Sequence, residues 1–326
     1  LVFQLPPPVI ASVPKPSIFL AVITPIDDDI FVSGVHRLRK QAEDLDLDVV
    51  ICVHNALEDV RACLDSVQTA LPGRGKLYLI DDASDTPTAE FLASRSLEMG
   101  ALLVRLDSRA YYTVAANIGV RSGSGRNVLL LNSDTVVPPL AFDKLSAALD
   151  REPRLGIVGP LSNAASYQSV PSTLGTASQT AINPLPAGMS VSEMDFFLEQ
   201  SWNGLVARTK LVHGFCFGVK RAVFEKIGLF DKENFPKGYG EENDFCFRAA
   251  DAGFELGVLT STYVFHAKSR SYNAAEREPL MADAAAALQR KAGSDRVARA
   301  VDAMQFHPAL IAARDSVAPL FAASCS

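Results

Sequence analysis

The 326-residue chain has one tryptophan, five cysteines and no surplus of basic charge. Cys52, Cys63, Cys216, Cys246 and Cys325 are scattered and form no C-x-x-C pair. That pattern excludes a disulfide scaffold and a cysteine zinc site, and it points to reduced thiols in the cytosol. A net charge of -6 excludes the basic face that a nucleic-acid partner needs. No charge-free apolar run reaches bilayer-spanning length, so no transmembrane helix is expected. The first 25 residues are apolar but broken by Pro6, Pro7, Pro8, Pro14 and Pro16, unlike a signal peptide. The chain begins at Leu1, as an excised piece of a longer multidomain protein would. What remains, 48% hydrophobic and 21% charged residues, fills the core of one large or two modest domains.

The most informative stretch runs from Val128 through Leu131 into Asn132-Ser133-Asp134-Thr135. The apolar run reads as a parallel strand buried on both faces. The polar cluster then lies past its carboxyl end, where open α/β sheets bind ligands. Asp134 offers a hard oxygen to a divalent cation. The competing reading is a turn whose Asp134 side chain caps the backbone after it.

Earlier strands end the same way. Asp48 to Val53 stops at His54-Asn55, Leu77 to Ile80 at Asp81-Asp82, and Leu102 to Val104 just before Asp107-Ser108-Arg109. Between them Val60, Cys63, Leu64, Val67 and Leu71 recur at helical spacing, with Asn55 and Glu58 resembling a capping box. A helix over 87–99 stops at Gly100. Asn117-Ile118-Gly119 lies in a short helix, and another spans 138–149. Strand–helix alternation predicts an α/β fold with a doubly wound, mostly parallel sheet. The four polar clusters should converge on one sheet edge.

Flanking segments carry less. Residues 1–46 read as an extension or linker with a short strand at 18–23 and weak helical spacing over 33–45. Residues 161–205 are rich in Ser, Thr, Ala, Asn and Pro and read as a long functional loop. A strand over 211–219 contains two glycines and His213, expected in the core. A helix starts at Glu241-Glu242, whose carboxylates suit its positive end. Asp244 and Arg248 stand four apart and can pair. Strands at 254–259 and 262–265 lead to His266. Residues 276–326 are alanine-rich and read as a helical hairpin broken near Gly293.

These pieces stand in a familiar order: Val53-His54-Asn55-Ala56, Asp81-Asp82-Ala83-Ser84, Asn117-Ile118-Gly119, Leu131-Asn132-Ser133-Asp134-Thr135, Gly214-Phe215-Cys216-Phe217, and Glu241-Glu242-Asn243-Asp244 with Arg248. From about Leu47 to His266 the chain resembles inverting glycosyltransferases of family 2. The resemblance implies a GT-A fold, a Rossmann-like, mostly parallel central sheet flanked by helices, here over 47–275 with a C-terminal helical tail. Within it, 47–135 would bind the nucleotide and 161–275 the acceptor. The nucleotide-sugar site would comprise Val53, His54, Asn55, Glu58, Asp82, Asn117, Asn132, Ser133 and Asp134. Asp134 fills the last place of the family's D-x-D motif and would bind Mg²⁺ or Mn²⁺. Asn132 replaces the first Asp, so one charge is lost. His266 matches a further metal ligand. Glu242 stands where the family's catalytic base lies, usually Asp. Trp202, Tyr239, Glu241 and Asp244 would contact the acceptor. Gly159-Pro160-Leu161-Ser162-Asn163-Ala164 is similar to rhamnosyltransferase-like members.

The implied activity moves a sugar from a UDP- or dTDP-linked donor to a glycan or lipid-linked acceptor. It would serve bacterial surface polysaccharide synthesis, in the cytoplasm or peripherally at the inner face of the membrane. Two other readings compete. A nucleotidyltransferase needs a Gly-rich basic phosphate loop after the first strand, where this chain has His54-Asn55-Ala56-Leu57. A non-catalytic sugar or nucleotide binder on the same fold has Asn132 in its favour. The catalytic reading requires that Asp134 and Glu242 border one cleft.

Overall fold

The computed structural model describes residues 21–23, 47–71, 73–175, 181–268 and 274–322. In chain order the strands are β1 (Ala21–Ile23), β2 (Leu47–Val53), β3 (Gly75–Asp81), β4 (Leu102–Leu106), β5 (Asn127–Asn132), β6 (Thr135–Val136), β7 (Leu155–Leu161), β8 (Val206–Thr209), β9 (Cys216–Lys220), β10 (Glu255–Tyr263) and β11 (Phe265–His266). The helices are α1 (Leu57–Ala70), α2 (Thr86–Met99), α3 (Tyr111–Ser122), α4 (Ala141–Arg151), α5 (Val191–Trp202), α6 (Arg221–Ile227), α7 (Glu241–Asp251), α8 (Ala274–Ala292), α9 (Ser294–Gln305) and α10 (Pro308–Ala322). None is long and apolar enough to cross a membrane.

Nine strands form one sheet in the order β1-β4-β3-β2-β5-β9-β7-β10-β8, and β11 pairs with β6 in a small ribbon. The β1-β4-β3-β2-β5 run is parallel throughout. Chain order proceeds outward from β2 to β4 and then returns to β5 on β2's other side. This makes the β2/β5 boundary a topological switch point, where such sheets open a crevice at their carboxyl ends. Side-chain alternation fills both faces. Val49, Ile51, Leu129 and Leu131 pack under α1 and α4 with Val60, Leu64, Phe142 and Leu145. Val50, Leu130 and Ile80 face α3, α6 and α7 with Ala115, Ala116, Val223 and Phe245. Burial on both faces explains why these strands read as unbroken apolar runs.

Two antiparallel pairings bring distant segments to the same edge. β9 runs against β5 with Cys216 opposite Leu131, so 213–215 lie beside 132–134, and the Asn132 amide donates to the Phe215 carbonyl at 2.8 Å. In the ribbon, His266 stands opposite Thr135.

Several local expectations need correction. The Asn55–Glu58 capping box does not form. Ala56 is the N-cap of α1 in a left-handed conformation, with no side-chain cap, and Asn55 is itself left-handed and drawn to the next loop. Residues 161–205 contain α5, opened by a complete capping box between Ser190 and Glu193; that motif and the buried Met194 and Leu198 were the signals to read. The helix expected at 138 starts at Ala141, because Leu140 turns left-handed at φ 64°. The strands expected at 254–259 and 262–265 are one long β10 followed by β11. The tail breaks at Gly293 as expected but has three helices, α8 to α10. Of the N-terminal strand, 21–23 pairs with β4; 18–20 and the helical spacing at 33–45 lie outside the described residues.

One buried ion pair locks the far end of β2. The Asp48 carboxylate accepts from the Gly125 amide at 2.6 Å and from Arg221 at 2.7 Å. Arg221 also donates to the Val120 carbonyl. Burial pushes the Asp48 carboxyl above its ordinary value, and Arg221 pulls it back. A Cβ at Gly123 would lie 2.2 Å from the Asp48 carboxylate. Asp48→Ala strands the Arg221 charge, so we expect a loss of about 3–5 kcal/mol of stability. Urea unfolding checks this, and an unchanged midpoint would refute it.

Candidate active site

At the carboxyl edge of the sheet lies a cavity of about 830 Å³. The strand-end loops bring His54, Asp82, Arg109, Asn132, Ser133 and Asp134 to it. His213, Glu241, Glu242, two lysines (Lys237 and Lys268) and His266, which stands beside Asp134, also line it. Asp134 and Glu242, 108 residues apart in number (242 − 134), therefore border one space.

The two acids after β3 have separated tasks. Asp81 pairs with Arg105 and accepts from the Ser84 amide at 2.8 Å, fixing the turn. Asp82 reaches the cavity, where its carboxylate accepts from the amides of Ala110 at 2.5 Å and Tyr111 at 2.9 Å. Burial raises the Asp82 pKa, and those two amides oppose the rise. His54 Nδ1 lies 2.7 Å from the Asp82 carbonyl oxygen. A carbonyl only accepts, so Nδ1 carries the hydrogen and ties the β2 loop to the β3 loop.

The Asp134–His266 pair is set from behind. His266 Nδ1 donates to the Ala164 carbonyl at 3.0 Å. Its amide donates to Asn163 Oδ1 at 2.7 Å, and Phe215 stacks on the ring at 5.2 Å between centroids. With Nδ1 protonated, a neutral ring aims the Nε2 lone pair at Asp134 Oδ1, 3.3 Å away. Two lone pairs meeting there fit a divalent cation, and a carbonyl behind a ligating imidazole is the usual support. Among the described residues no group of three or more His, Cys, Asp or Glu surrounds one point. A cation held by this pair would complete its shell with phosphate oxygens and water, as Mg²⁺ commonly does.

Gly240 at φ 109° begins α7, which brings Glu241 and Glu242 to the same cavity. Glu242 Oε2 accepts from the Gly240 amide at 3.1 Å. Burial raises the Glu242 pKa, and backbone amides and Lys268 temper the rise. Glu241 is only 5% exposed, and among the described residues its Oε2 has no hydrogen-bond partner. Burial and the neighbouring Glu242 push its pKa well up. A carboxyl kept protonated beside one that ionises is a usual device for separating acid and base roles.

The sequence model of the family described as Glycosyl transferase family 2 matches residues 48–228, more than half of the chain. The chain belongs to glycosyl transferase family 2. No curated protein matches it. Among solved structures it is similar to the mannosyltransferase PcManGT from Pyrobaculum calidifontis, determined with GDP-Man and Mn²⁺, at 17% identity and a TM-score of 0.54, covering 91% of this chain and 82% of that one. It is also similar to GalNAc-T7, determined with UDP, GalNAc and Mn²⁺, at 16% identity and a TM-score of 0.53; the match covers 75% of this chain but 48% of GalNAc-T7. The shared fold is GT-A.

In this glycosyltransferase the cavity gathers Val53, His54, Asp82, Asn132, Ser133, Asp134, Tyr239, Glu241, Glu242 and His266 from the expected site residues. Five others lie elsewhere. Asn55 braces the loops, with its amide donating to Ser84 Oγ at 3.0 Å and its Oδ1 accepting from the Asp85 amide at 2.7 Å. Glu58 is exposed on α1 near Arg61. Asn117 clamps the Phe230 backbone through both amide atoms, at 2.9 and 3.0 Å. Trp202 packs in a separate cluster with Met194 and Leu198. Asp244 pairs with Arg248 and Lys291, joining α7 to α8. His213, expected in the core, is half-buried on the cavity wall. Lys237 and Lys268 were missed, although Lys237 stands just before the Gly238-Tyr239-Gly240 turn, a visible signal of backbone freedom near the site.

Glu241 invites a stability test. Its folded pKa lies above its unfolded value, so the native state binds the extra proton. Stability from this group is present at low pH and falls as pH rises from the unfolded value toward the folded one. Glu241→Gln keeps the shape and removes the charge. We expect it to raise the melting temperature at neutral pH and to flatten the decline that begins above the ordinary glutamate range. A wild-type-like decline in the variant would refute this.

Proposed function

We propose that the protein is an inverting, metal-dependent glycosyltransferase that transfers a sugar from a nucleoside diphosphate sugar to an acceptor hydroxyl. The observation carrying this reading is that a half-buried carboxylate with a raised pKa, Glu242, borders the same cavity as the Asp134–His266 pair. Residues 47–135 furnish the donor side, with Asp82 and the Val53-His54 loop toward nucleoside. Residues 161–275 furnish the acceptor side, with Tyr239 and Glu241 near the incoming hydroxyl.

In the reaction the acceptor oxygen attacks the anomeric carbon as its proton passes to Glu242. The bond from that carbon to the diphosphate breaks, and its electron pair leaves with the nucleoside diphosphate. Backside attack inverts the anomeric centre. Asp134 and His266 would hold Mg²⁺ or Mn²⁺, which supplies Lewis-acid stabilisation of the leaving diphosphate. Arg109, Lys237 and Lys268 add positive charge around the same space. The similarity of Gly159 to Ala164 to rhamnosyltransferase-like members supports a rhamnosyl-type donor, and the family resemblance supports a place in bacterial surface polysaccharide synthesis at the cytoplasmic side of the membrane.

The test is a thermal-shift panel of UDP-, dTDP- and GDP-sugars with Mn²⁺, Mg²⁺ or EDTA, GDP being included because PcManGT was determined with GDP-Man. One donor should raise the melting temperature only with a cation. Silence from every donor with every cation would end this reading. Proton NMR of the product then checks inversion.

A further inference from the structure

The cavity has two chemically unlike halves. One end carries the carboxylates, imidazoles and cations already described. The other is walled by the tail helices, through Met281, Ala284, Ala285 and Leu288 of α8 and Val301 and Met304 of α9. Ala284, Leu288 and Met304 are buried beneath it. None of the six side chains carries a conventional hydrogen-bonding group. A saccharide laid against them would bury hydroxyls without partners, at a desolvation cost. This wall therefore suits hydrocarbon rather than sugar. Among the described residues it does not close at the surface: Met281 and Ile182, which also line the cavity, are 51% and 62% exposed. A compact apolar group would need no such trail to solvent, whereas a chain longer than the cavity would follow it. Methionines on the wall suit a flexible occupant.

We infer that the tail helices form an acceptor subsite for the alkyl or prenyl chain of a lipid-linked acceptor, placing its hydroxyl-bearing head beside Glu241 and Glu242. The inference rests on the glycosyltransferase reading and adds to it the acceptor's chemical class. The chain docks along α8 toward Met281 and Ile182, and its length, not its headgroup alone, governs affinity.

Butyl, hexyl and octyl β-glucosides, kept below micelle-forming concentrations, serve as probes of the full chain by titration calorimetry. Burial of the alkyl chain should tighten binding by about fourfold for each added methylene. In Met281→Gln/Ala285→Gln, altered at two exposed positions, the dependence on length should flatten. Should that double variant not fold, Met281→Gln alone repeats the comparison. A flat dependence in the wild type overturns the subsite. So does a steep dependence shared by wild type and variant, which would mean adsorption elsewhere. Nucleotide-sugar binding with a flat glucoside series sinks the subsite alone. A steep series with no nucleotide-sugar binding removes the acceptor role through the reading beneath it.

Discussion

Glu242→Gln should lower turnover by about 10²–10⁴-fold, the usual worth of a positioned general base, while leaving donor affinity unchanged. Gln has the same size and can still accept from the Gly240 amide, so the start of α7 keeps its shape. What it loses is the ability to take a proton. The wild-type rate should fall on the acid side with a limb above the ordinary glutamate range, because burial raises the Glu242 pKa. Below that limb the base is protonated and idle; above it the base is free. Since Glu241 and Glu242 share one desolvated site, the limb belongs to the pair. The double variant Glu241→Gln/Glu242→Gln shows whether Glu241 rescues the single one. Glu242→Asp shortens the reach by one methylene and should retain part of the rate. Steady-state rates alongside donor titrations decide the matter. A binder that lacks catalysis would show no difference between wild type and Glu242→Gln, and that result would sink the assignment.

How much of this was legible beforehand depends on the range of the interaction involved. Strands β2 to β5 were readable because burial on both faces leaves a long apolar run, a purely local signal. Their polar ends were readable because parallel strands must finish on the same edge. The capping box at Asn55 was misread because Asn55 is bonded to Ser84 and Asp85, about thirty residues away, and such competition is invisible in a local motif. Asn117 looked like a ligand contact in sequence, yet its partner is the Phe230 backbone, which only the packed α3 can reveal. Asp244 was expected to pair with Arg248, which it does. Its second partner, Lys291, comes from a tail helix and turns the same carboxylate into a joint between α7 and α8. Trp202 failed for the converse reason. A lone tryptophan in a polar stretch resembles a sugar platform, but the periodicity of α5 directs it into a separate core. The apolar wall from α8 and α9 had no sequence signal, since alanine-rich helices read alike whether they face a cavity or a neighbour.

Asp134→Asn should abolish cation-dependent donor binding, and the reason lies in the pairing with His266. Even changes behind a metal ligand cost about 10–100-fold in affinity, so loss of the ligand's charge should exceed about 100-fold. Asn132 supplies no compensating charge. Mn²⁺ affinity measured by electron paramagnetic resonance in the presence of UDP reads this directly, apart from turnover. The competing arrangement has His266 doubly protonated, with an imidazolium donating to Asp134 and no metal between them. The bond from Nδ1 to the Ala164 carbonyl is compatible with both states, so that bond alone does not choose. The variant does. With a cation between the two side chains, wild-type donor binding vanishes in EDTA and Asp134→Asn copies that loss in Mn²⁺. With an imidazolium, the wild type ignores EDTA, and the variant, relieved of a carboxylate near the diphosphate, binds donor at least as well. Undiminished Mn²⁺ affinity in Asp134→Asn would remove the cation from this end of the cavity and leave the lysines and Arg109 to meet the diphosphate.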